Sequence, residues 1–358
     1  MRIGIIGAGQ LGQMLGFAAR DLGVECLFVD PSVDPPAAVC GEVLQRRFDD
    51  RDALAELAAS CDVITYEFEN VPVEALRTIE GKVPVYPPAA ALQHSQDRLD
   101  EKTLFDRLEI PLPGYYRVDS RADLDEAADA LGLPMVIKTR RLGYDGKGQF
   151  VIREAADFDK AWDAIGANAL IAEQWVPFDF EISCIGVRNT AGDVAIYPLA
   201  RNVHEAGILR TSRSPVDAPL LAERAEDYVC RLLDHLDYVG VLALELFVCG
   251  EELLANEFAP RVHNSGHWSI EGSETSQFEN HIRAILNRPL GSTASVGHAG
   301  MVNLIGEIPG AVRSLDIGVL HDYGKSPRPG RKLGHVTVTA ETAAECDKYV
   351  DIIERSVI

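Results

Sequence analysis

The sequence predicts a multidomain chain of mixed class, α/β at its N-terminus and α+β beyond. Three observations carry this. Short apolar runs alternate with helical patterns over about the first 90 residues, as in a parallel, doubly wound sheet. A glycine-rich stretch at 143–148 sits between two strand patterns, as the tip of a hairpin in a small lid. From residue 180 onward strand patterns dominate and make a mixed β body.

Residues 2–6 are an isoleucine-rich run ending at Gly7, which reads as a buried strand. Residues 10–22 read as a helix stopped by Gly23. Further strands are predicted at 24–29, 43–48, 61–66 and 83–86, with helices at 51–60 and 72–79. Pro87 and Pro88 close this region. Residues 95–108 read as one helix, with Asp97, Asp100 and Glu101 near its start, where the helix dipole favours anions. An extended connector follows at 110–113. The lid takes helices at 121–131 and 157–165 and strands at 134–138, 150–152 and 169–174. In the body, helices are predicted at 222–236 and 276–286, and 240–248 and 252–257 form a hairpin around Cys249 and Gly250. After Pro289 the pattern gives short β pieces, including 335–339, to the end. The expected divisions are 1–95, a linker helix and connector at 96–120, the lid at 121–178, the body at 179–290, and a small β-rich region at 291–358 packed on the body.

Length and composition bound the function. A chain of 358 residues fits two or three domains, and 47% hydrophobic with 25% charged residues is ordinary for a packed core. A net charge of −21 repels phosphate backbones and argues against nucleic-acid binding, while a locally cationic cleft still admits a small anion. Seven widely spaced cysteines without a CxxC argue against a disulfide framework and a zinc ribbon, and fit a reducing, cytoplasmic setting. The N-terminus enters a strand directly, and no apolar run reaches about 18 residues, so neither a secretory signal nor a membrane span is expected.

Five segments carry chemistry. The turn GAGQLG at 7–12 follows a strand and opens a helix, and Asp30 ends the next strand. This pattern fits a dinucleotide site, and more generally an anion or ribose site on glycine backbone and helix N–H groups. The stretch PMVIKTRRLGYDGKGQ at 134–149 delivers Lys138 on a strand and places Lys147 on a tip with Gly143, Gly146 and Gly148. Such a cradle positions and neutralises a polyphosphate. The strand 169–174 ends in an acidic residue and an apolar run, which suits an adenine slot at Glu173, Gln174, Trp175 and Val176 with Glu181 placed for ribose hydroxyls; a buried strand leading to a turn explains it equally well. Glu245 lies in an apolar run, where a lone carboxylate is costly, so a cation is required nearby; Arg261 or a metal shared with Glu257 meets that need. With Asn256 beside them, these hard oxygen donors favour Mg2+ bridging ATP phosphates. Finally, PRVHNSGHW at 260–268 sets Arg261, His263, Asn264, Ser265 and His267 beside that point, as an oxyanion grip or, less well, a zinc-binding HxxxH pair.

These segments, in this order, resemble the ATP-grasp superfamily. Within it, RLGYDGKGQ, LELFV, NEFAPRVHNSGHW and HDYGKSPRPGRKLGHV are similar to the N5-carboxyaminoimidazole ribonucleotide synthetases, over nearly the whole chain. The resemblance implies an ATP-grasp fold with a Rossmann-like N-terminal domain, a mobile lid and a C-terminal body, usually as a homodimer. It implies an ATP-dependent joining of bicarbonate to the amine of 5-aminoimidazole ribonucleotide (AIR) through carboxyphosphate. ATP would meet Arg98, Lys138, residues 143–149 including Tyr144, Asp145 and Gln149, the segment 173–176, Glu181, His204, Asn256 and Glu257. Magnesium would sit on Glu245 and Glu257. AIR would meet Gln10, Leu11, Glu67, Lys325, Arg331 and Lys332, with Asp145 at its amine. Arg261 and His267, flanking Asn264 and Ser265, would hold bicarbonate or the intermediate. Leu142 departs from relatives, many of which have glycine there. Competing readings are a formate-using glycinamide ribonucleotide transformylase, an NAD-dependent dehydrogenase resting on GAGQLG and Asp30, and a non-catalytic nucleotide-binding module.

Overall fold

The computed structural model describes residues 1–143 and 146–357. The chain begins with a parallel sheet of four strands, β1 (Arg2–Ile6), β2 (Glu25–Asp30), β3 (Glu42–Gln45) and β4 (Val63–Tyr66), in the order β3-β2-β1-β4. Helix α1 (Gln10–Asp21) connects β1 to β2, α2 (Arg51–Ser60) connects β3 to β4, and α3 (Val73–Arg77) follows β4. Asp50 caps α2 by accepting the Asp52 and Ala53 amides at 3.1 and 3.0 Å, as expected of an N-terminal Asp. The strand expected at 83–86 is reduced to isolated bridges, Val85 to Ile64 and Val83 to Glu80, because Pro84 and Pro87 remove the donors a ladder needs.

The helix expected at 95–108 forms as α5 (Arg98–Arg107), preceded by a helix that was not expected, α4 (Ala89–Ser95). Asp97 breaks the pattern by taking an extended conformation and capping α5 at the Leu99 amide, 3.0 Å away. Four antiparallel strands make the lid sheet: β5 (Tyr115–Val118), β6 (Met135–Thr139), β7 (Gln149–Ile152) and β8 (Leu170–Gln174), in the order β5-β8-β6-β7. The connector expected up to residue 120 therefore supplies an edge strand to the lid. Helices α6 (Asp123–Leu131) and α7 (Phe158–Ile165) cover it.

The body is one nine-stranded sheet. Its strands are β9 (Phe180–Arg188), β10 (Val194–Ile196), β11 (Ala200–Glu205), β12 (Ile208–Ser214), β13 (Gly240–Cys249), β14 (Glu252–Ala259), β15 (His298–Ile305), β16 (Val319–Asp322) and β17 (Lys332–Ala340). They run β14-β13-β9-β11-β12-β15-β17-β16, with β10 on β9. Helices α8 (Pro219–His235), α9 (Ser269–Gly272), α10 (Gln277–Ile285), α11 (Gly310–Arg313) and α12 (Ala343–Val357) pack on it. The C-terminal region, expected as a small β-rich region packed on the body, extends the body sheet and ends in a helix. Cys346, Val350 and Ile353 are the buried stripe of α12, at helical spacing.

Candidate active site

The lid and the body form two walls of a groove. Lys138, on β6, donates to Glu173 Oε2 on β8 at 2.8 Å. The buried Lys102 of α5 stands 3.6 Å from the same oxygen. Burial would raise Glu173, but Lys102 and Lys138 hold it down to about 2. Burial in turn pulls Lys138 below the usual lysine range. Lys138, Gly146, Lys147, Gln149 and Trp175 line the lid wall, and Glu181, His204, Asn256 and Glu257 the body wall. Phe178 and Phe247, stacked 4.8 Å apart, add an apolar patch that the sequence reading missed. His204 Nδ1 bonds Glu181; burial opposes protonation, yet this bond and the surrounding glutamates raise the imidazole's pKa. Gly146 has φ 73, and a Cβ there would come within 2.6 Å of the Ala206 carbonyl, so only glycine lets the tip approach the β11–β12 turn. Beyond Glu173, Gln174 is exposed and Val176 half-buried. Tyr144 and Asp145 lie outside the described residues.

The groove floor carries two facing carboxylates, Glu245 on β13 and Glu257 on β14. The pairing register shifts directly after Glu245, leaving Asn256 as an extra residue in β14. Such a bulge re-aims side chains, and Asn256, Glu257 and Glu245 all line the groove. Burial, then the charge of Glu257, lifts Glu245 to about 7. Glu257 moves the other way: burial opposes, but Arg98, 2.7 Å away, keeps it below the usual carboxylate range. The alternative partner for Glu245, Arg261, pairs with Glu69 instead. The Asn256 Oδ1 is buried without a protein partner. Two hard carboxylates and a bare amide oxygen fit magnesium, which keeps waters and takes phosphate oxygens rather than demanding a full protein cage.

The loop after β14 places Arg261 and His263 next to this pair. The Ser265 amide donates to His263 Nδ1 at 3.3 Å, so Nε2 carries the proton and faces Glu245 Oε1 at 3.4 Å. His267, the histidine expected to grip the oxyanion, is 1% exposed and packs against Phe278 and His335, with centroids 5.6 and 4.8 Å away. It lines none of the cavities around the carboxylates. Across the turn Asn264–Gly266, His263 lines the cavity beside the carboxylates and His267 does not. Ser265 is buried and serves His263, while both amide atoms of Asn264 are buried without partners.

The first glycine turn closely holds a side chain. The Gly9 amide donates to Glu67 Oε1 at 2.6 Å, and a Cβ at Gly7 or Gly9 would come within 2.8 Å of Glu67. Asp30 accepts the Ala8 and Ser32 amides at 2.9 and 2.8 Å, so both its oxygens are engaged by main chain rather than held out to a ribose. Burial lifts Glu67 to about 7, against the Gly9 amide and Arg261. Gln10, Leu11, Glu67 and Lys332 line a cavity here, with the aromatic pair Phe48 and Phe68 at its side. Lys325 bonds Gln10, and burial lowers its ammonium to about 8. Arg331 stands apart from that lining, donating to the Ser326 carbonyl at 3.2 Å.

These cavities are contiguous. The lid groove and a central cavity share Arg98, Glu245 and Glu257, and the central and N-terminal cavities share Glu69, Asn70 and Arg261. A cationic lid groove, a carboxylate pair with Asn256, an Arg–His corner and a second cationic pocket follow in line, which defines an ATP-grasp carbon–nitrogen ligase. Family comparison agrees: the ribonucleotide synthetase preATP-grasp domain matches residues 1–96, the ATP-grasp domain 103–278, and the phosphoribosylaminoimidazole carboxylase C-terminal domain 299–349. The chain belongs to the N5-carboxyaminoimidazole ribonucleotide synthase family. It is 48% identical over 356 residues to the synthase of Pseudomonas aeruginosa, covering 99% of both chains. The crystal structure of the Thermus thermophilus synthetase is 50% identical and superposes with a TM-score of 0.95, covering 99% of this chain and 98% of that one. The Aspergillus clavatus synthase, in complex with ADP and 5-aminoimidazole ribonucleotide, is 29% identical with a TM-score of 0.92 over 99% of this chain and 98% of its own.

Proposed function

We propose that this protein carboxylates the amine of AIR with bicarbonate, using ATP and giving N5-carboxyaminoimidazole ribonucleotide, ADP and phosphate in purine biosynthesis. The observation that carries the reading is the linear arrangement of the cavities, with Arg261 shared between the carboxylate pair and the Gln10–Lys332 pocket. Two substrates bound at the ends would bring their reacting groups to that corner.

Lys138, Lys147, Arg98 and His204 would hold ATP, with its base against the 173–176 strand end and its ribose at Glu181. Glu245, Glu257 and Asn256 would hold Mg2+, which supplies charge neutralisation to the phosphates when bound. Bicarbonate oxygen attacks the γ-phosphorus and ADP leaves, forming carboxyphosphate. The AIR amine then forms its bond to that carbon, phosphate departs and the amine sheds one proton. Arg261 presents a fixed cation to the bicarbonate and to the oxyanion that grows on it. His263, neutral with its Nε2–H toward the same corner, is the histidine suited to donate a hydrogen bond there. Gln10, Leu11, Glu67, Lys325 and Lys332 would orient AIR, with Arg331 closing near its phosphate and Asp145 at the amine. A lid over the groove would shield the intermediate from water. We place the enzyme in the cytoplasm as a homodimer; its seven cysteines are free thiols, and among the described residues no helix is long and apolar enough to cross a membrane.

Release of ADP is the direct test, measured with Mg-ATP and bicarbonate in the presence and absence of AIR. ADP release that depends on AIR is expected. Release indifferent to AIR but driven by glycinamide ribonucleotide and formate would replace the reading with the transformylase.

A further inference from the structure

Helix α5 grips the bulged strand β14 at three consecutive residues. Lys102 Nζ donates to the Asn256 main-chain carbonyl at 2.6 Å, Arg98 Nη1 to the Glu257 carboxylate at 2.7 Å, and Glu101 Oε1 accepts the Phe258 amide at 2.7 Å. Residues 98, 101 and 102 are spaced to share one helix face. The same helix also meets the lid. Its cap, Asp97, pairs with Arg140 at 2.7 Å and Arg141 at 3.1 Å, and Lys102 reaches Glu173 on β8.

Lys102 is the unusual member of this set. Its side chain is fully buried, which a lysine rarely tolerates unless paired. Stability alone explains it poorly, because a buried ion pair is often no more stabilising than apolar side chains of the same volume. Its two contacts instead join the two parts of the groove. One is the carbonyl of the extra residue in the bulge, where the strand ladder is disrupted. The other is the lid carboxylate that also holds Lys138.

We propose that Lys102 is a positioning residue: it fixes the bulge that turns Asn256 and Glu257 into the groove, and holds that bulge in register with the lid strand β8. This rests on the reading of Glu245, Asn256 and Glu257 as the magnesium-holding set. Lys102 touches neither the Gln10–Lys332 pocket nor the Arg261–Glu69 pair, so its effect belongs to the nucleotide and metal end alone.

The test is calorimetric binding of the β,γ-imido analogue of ATP, with and without Mg2+, and of AIR in parallel, on wild type, Lys102→Met and Lys102→Arg, with thermal unfolding recorded for each. Losing a charge-assisted contact predicts that Lys102→Met binds the analogue roughly tenfold more weakly with Mg2+ present. The loss should be smaller without Mg2+, AIR affinity should stay within about twofold, and Lys102→Arg should recover part of the loss. A lowered melting temperature with unchanged analogue affinity would overturn the proposal, as would equal weakening of analogue and AIR. Should Lys102→Met fail to fold, Lys102→Gln, which keeps a donor but loses the charge facing Glu173, decides by the same readouts: a shift confined to the Mg2+-dependent analogue affinity supports the strut, and wild-type binding of both ligands sinks it. Analogue binding to the wild type that ignores Mg2+ would instead remove the metal assignment on which the proposal stands, whatever the Lys102 variants do.

Discussion

Glu245 and Glu257 face each other at the end of a groove, and two like charges in so dry a place repel unless a cation stands between them. The fold answers half of this with Arg98 on Glu257 and leaves Glu245 raised to about 7. Glu257→Gln keeps an oxygen for Arg98 and removes the repulsion, so folding should survive, while turnover should fall by roughly two to three orders of magnitude through lost metal charge. Steady-state ADP release and a melting curve check this; turnover within tenfold of wild type would remove Glu257 from the metal set. Glu245 was legible from the sequence because a charge inside an apolar run demands an explanation. His263 was not separable from His267, because both sit in one polar loop and only the turn between them decides which ring meets the cleft. Lys102 left no signal, since a lysine on a charged helix reads as solvated until the strand beneath it is seen. Leu142 takes φ 62, the left-handed conformation that glycine accepts freely, so the leucine sits where glycine is the relaxed choice.

Among the elements, α10 joins the N-terminal sheet to the body through one imidazole. The Val241 amide donates to His281 Nδ1 at 3.1 Å, so Nε2 carries the proton and donates to Thr65 Oγ1 at 2.9 Å. Both nitrogens are committed in the neutral ring, and burial pulls its pKa down to about 3. Above pH 6.5 neither the folded nor the unfolded chain protonates this group. Below it the unfolded chain takes up a proton that the folded chain refuses, so stability falls as pH drops from 6.5 toward 3. One such proton changes the slope by about 1.4 kcal/mol per pH unit. His281→Asn keeps an acceptor for Val241 but does not titrate, and denaturant unfolding between pH 7 and 4 should show a slope shallower by about that amount. Equal slopes would mean that His281 does not resist protonation. The alternating patterns before residue 90 and the hairpin of β13 and β14 were legible because period and turn residues agree there. The start of α5 was hidden because Asp97 suits a helix start and a helix interior alike until its cap to Leu99 is formed. Helix α12 was missed because its stripe of Cys346, Val350 and Ile353 is thin and follows a β run.

At the scale of the molecule, the apolar cores assign the motions. Ile3, Ile5, Leu11 and Met14 of the N-terminal domain share one cluster with Val187, Val241, Trp268 and Phe278 of the body. The lid keeps its own cluster, including Val118, Ile137, Ile152 and Ala172, and ion pairs tie it to the rest: Asp97 with Arg140 and Arg141, and Lys102 with Glu173. Water can replace polar ties more cheaply than it can enter a shared core, so the lid should open without the other two parts. Hydrogen exchange followed by mass spectrometry reads this directly. Peptides from 115–174 should exchange through openings of lower free energy than peptides from β1 or β13, which should share one protection limit. In the proposed site a non-hydrolysable ATP analogue with Mg2+ would bridge lid and body, so at about 100 times its Kd it should add about 2.7 kcal/mol to any opening that releases it. That corresponds to roughly hundredfold slower exchange in the lid peptides, with a smaller effect where opening already requires global unfolding. Equal protection of lid and body in the free protein would show instead that the polar ties bind them into one cooperative unit. The groove would then have to admit ATP without lid opening.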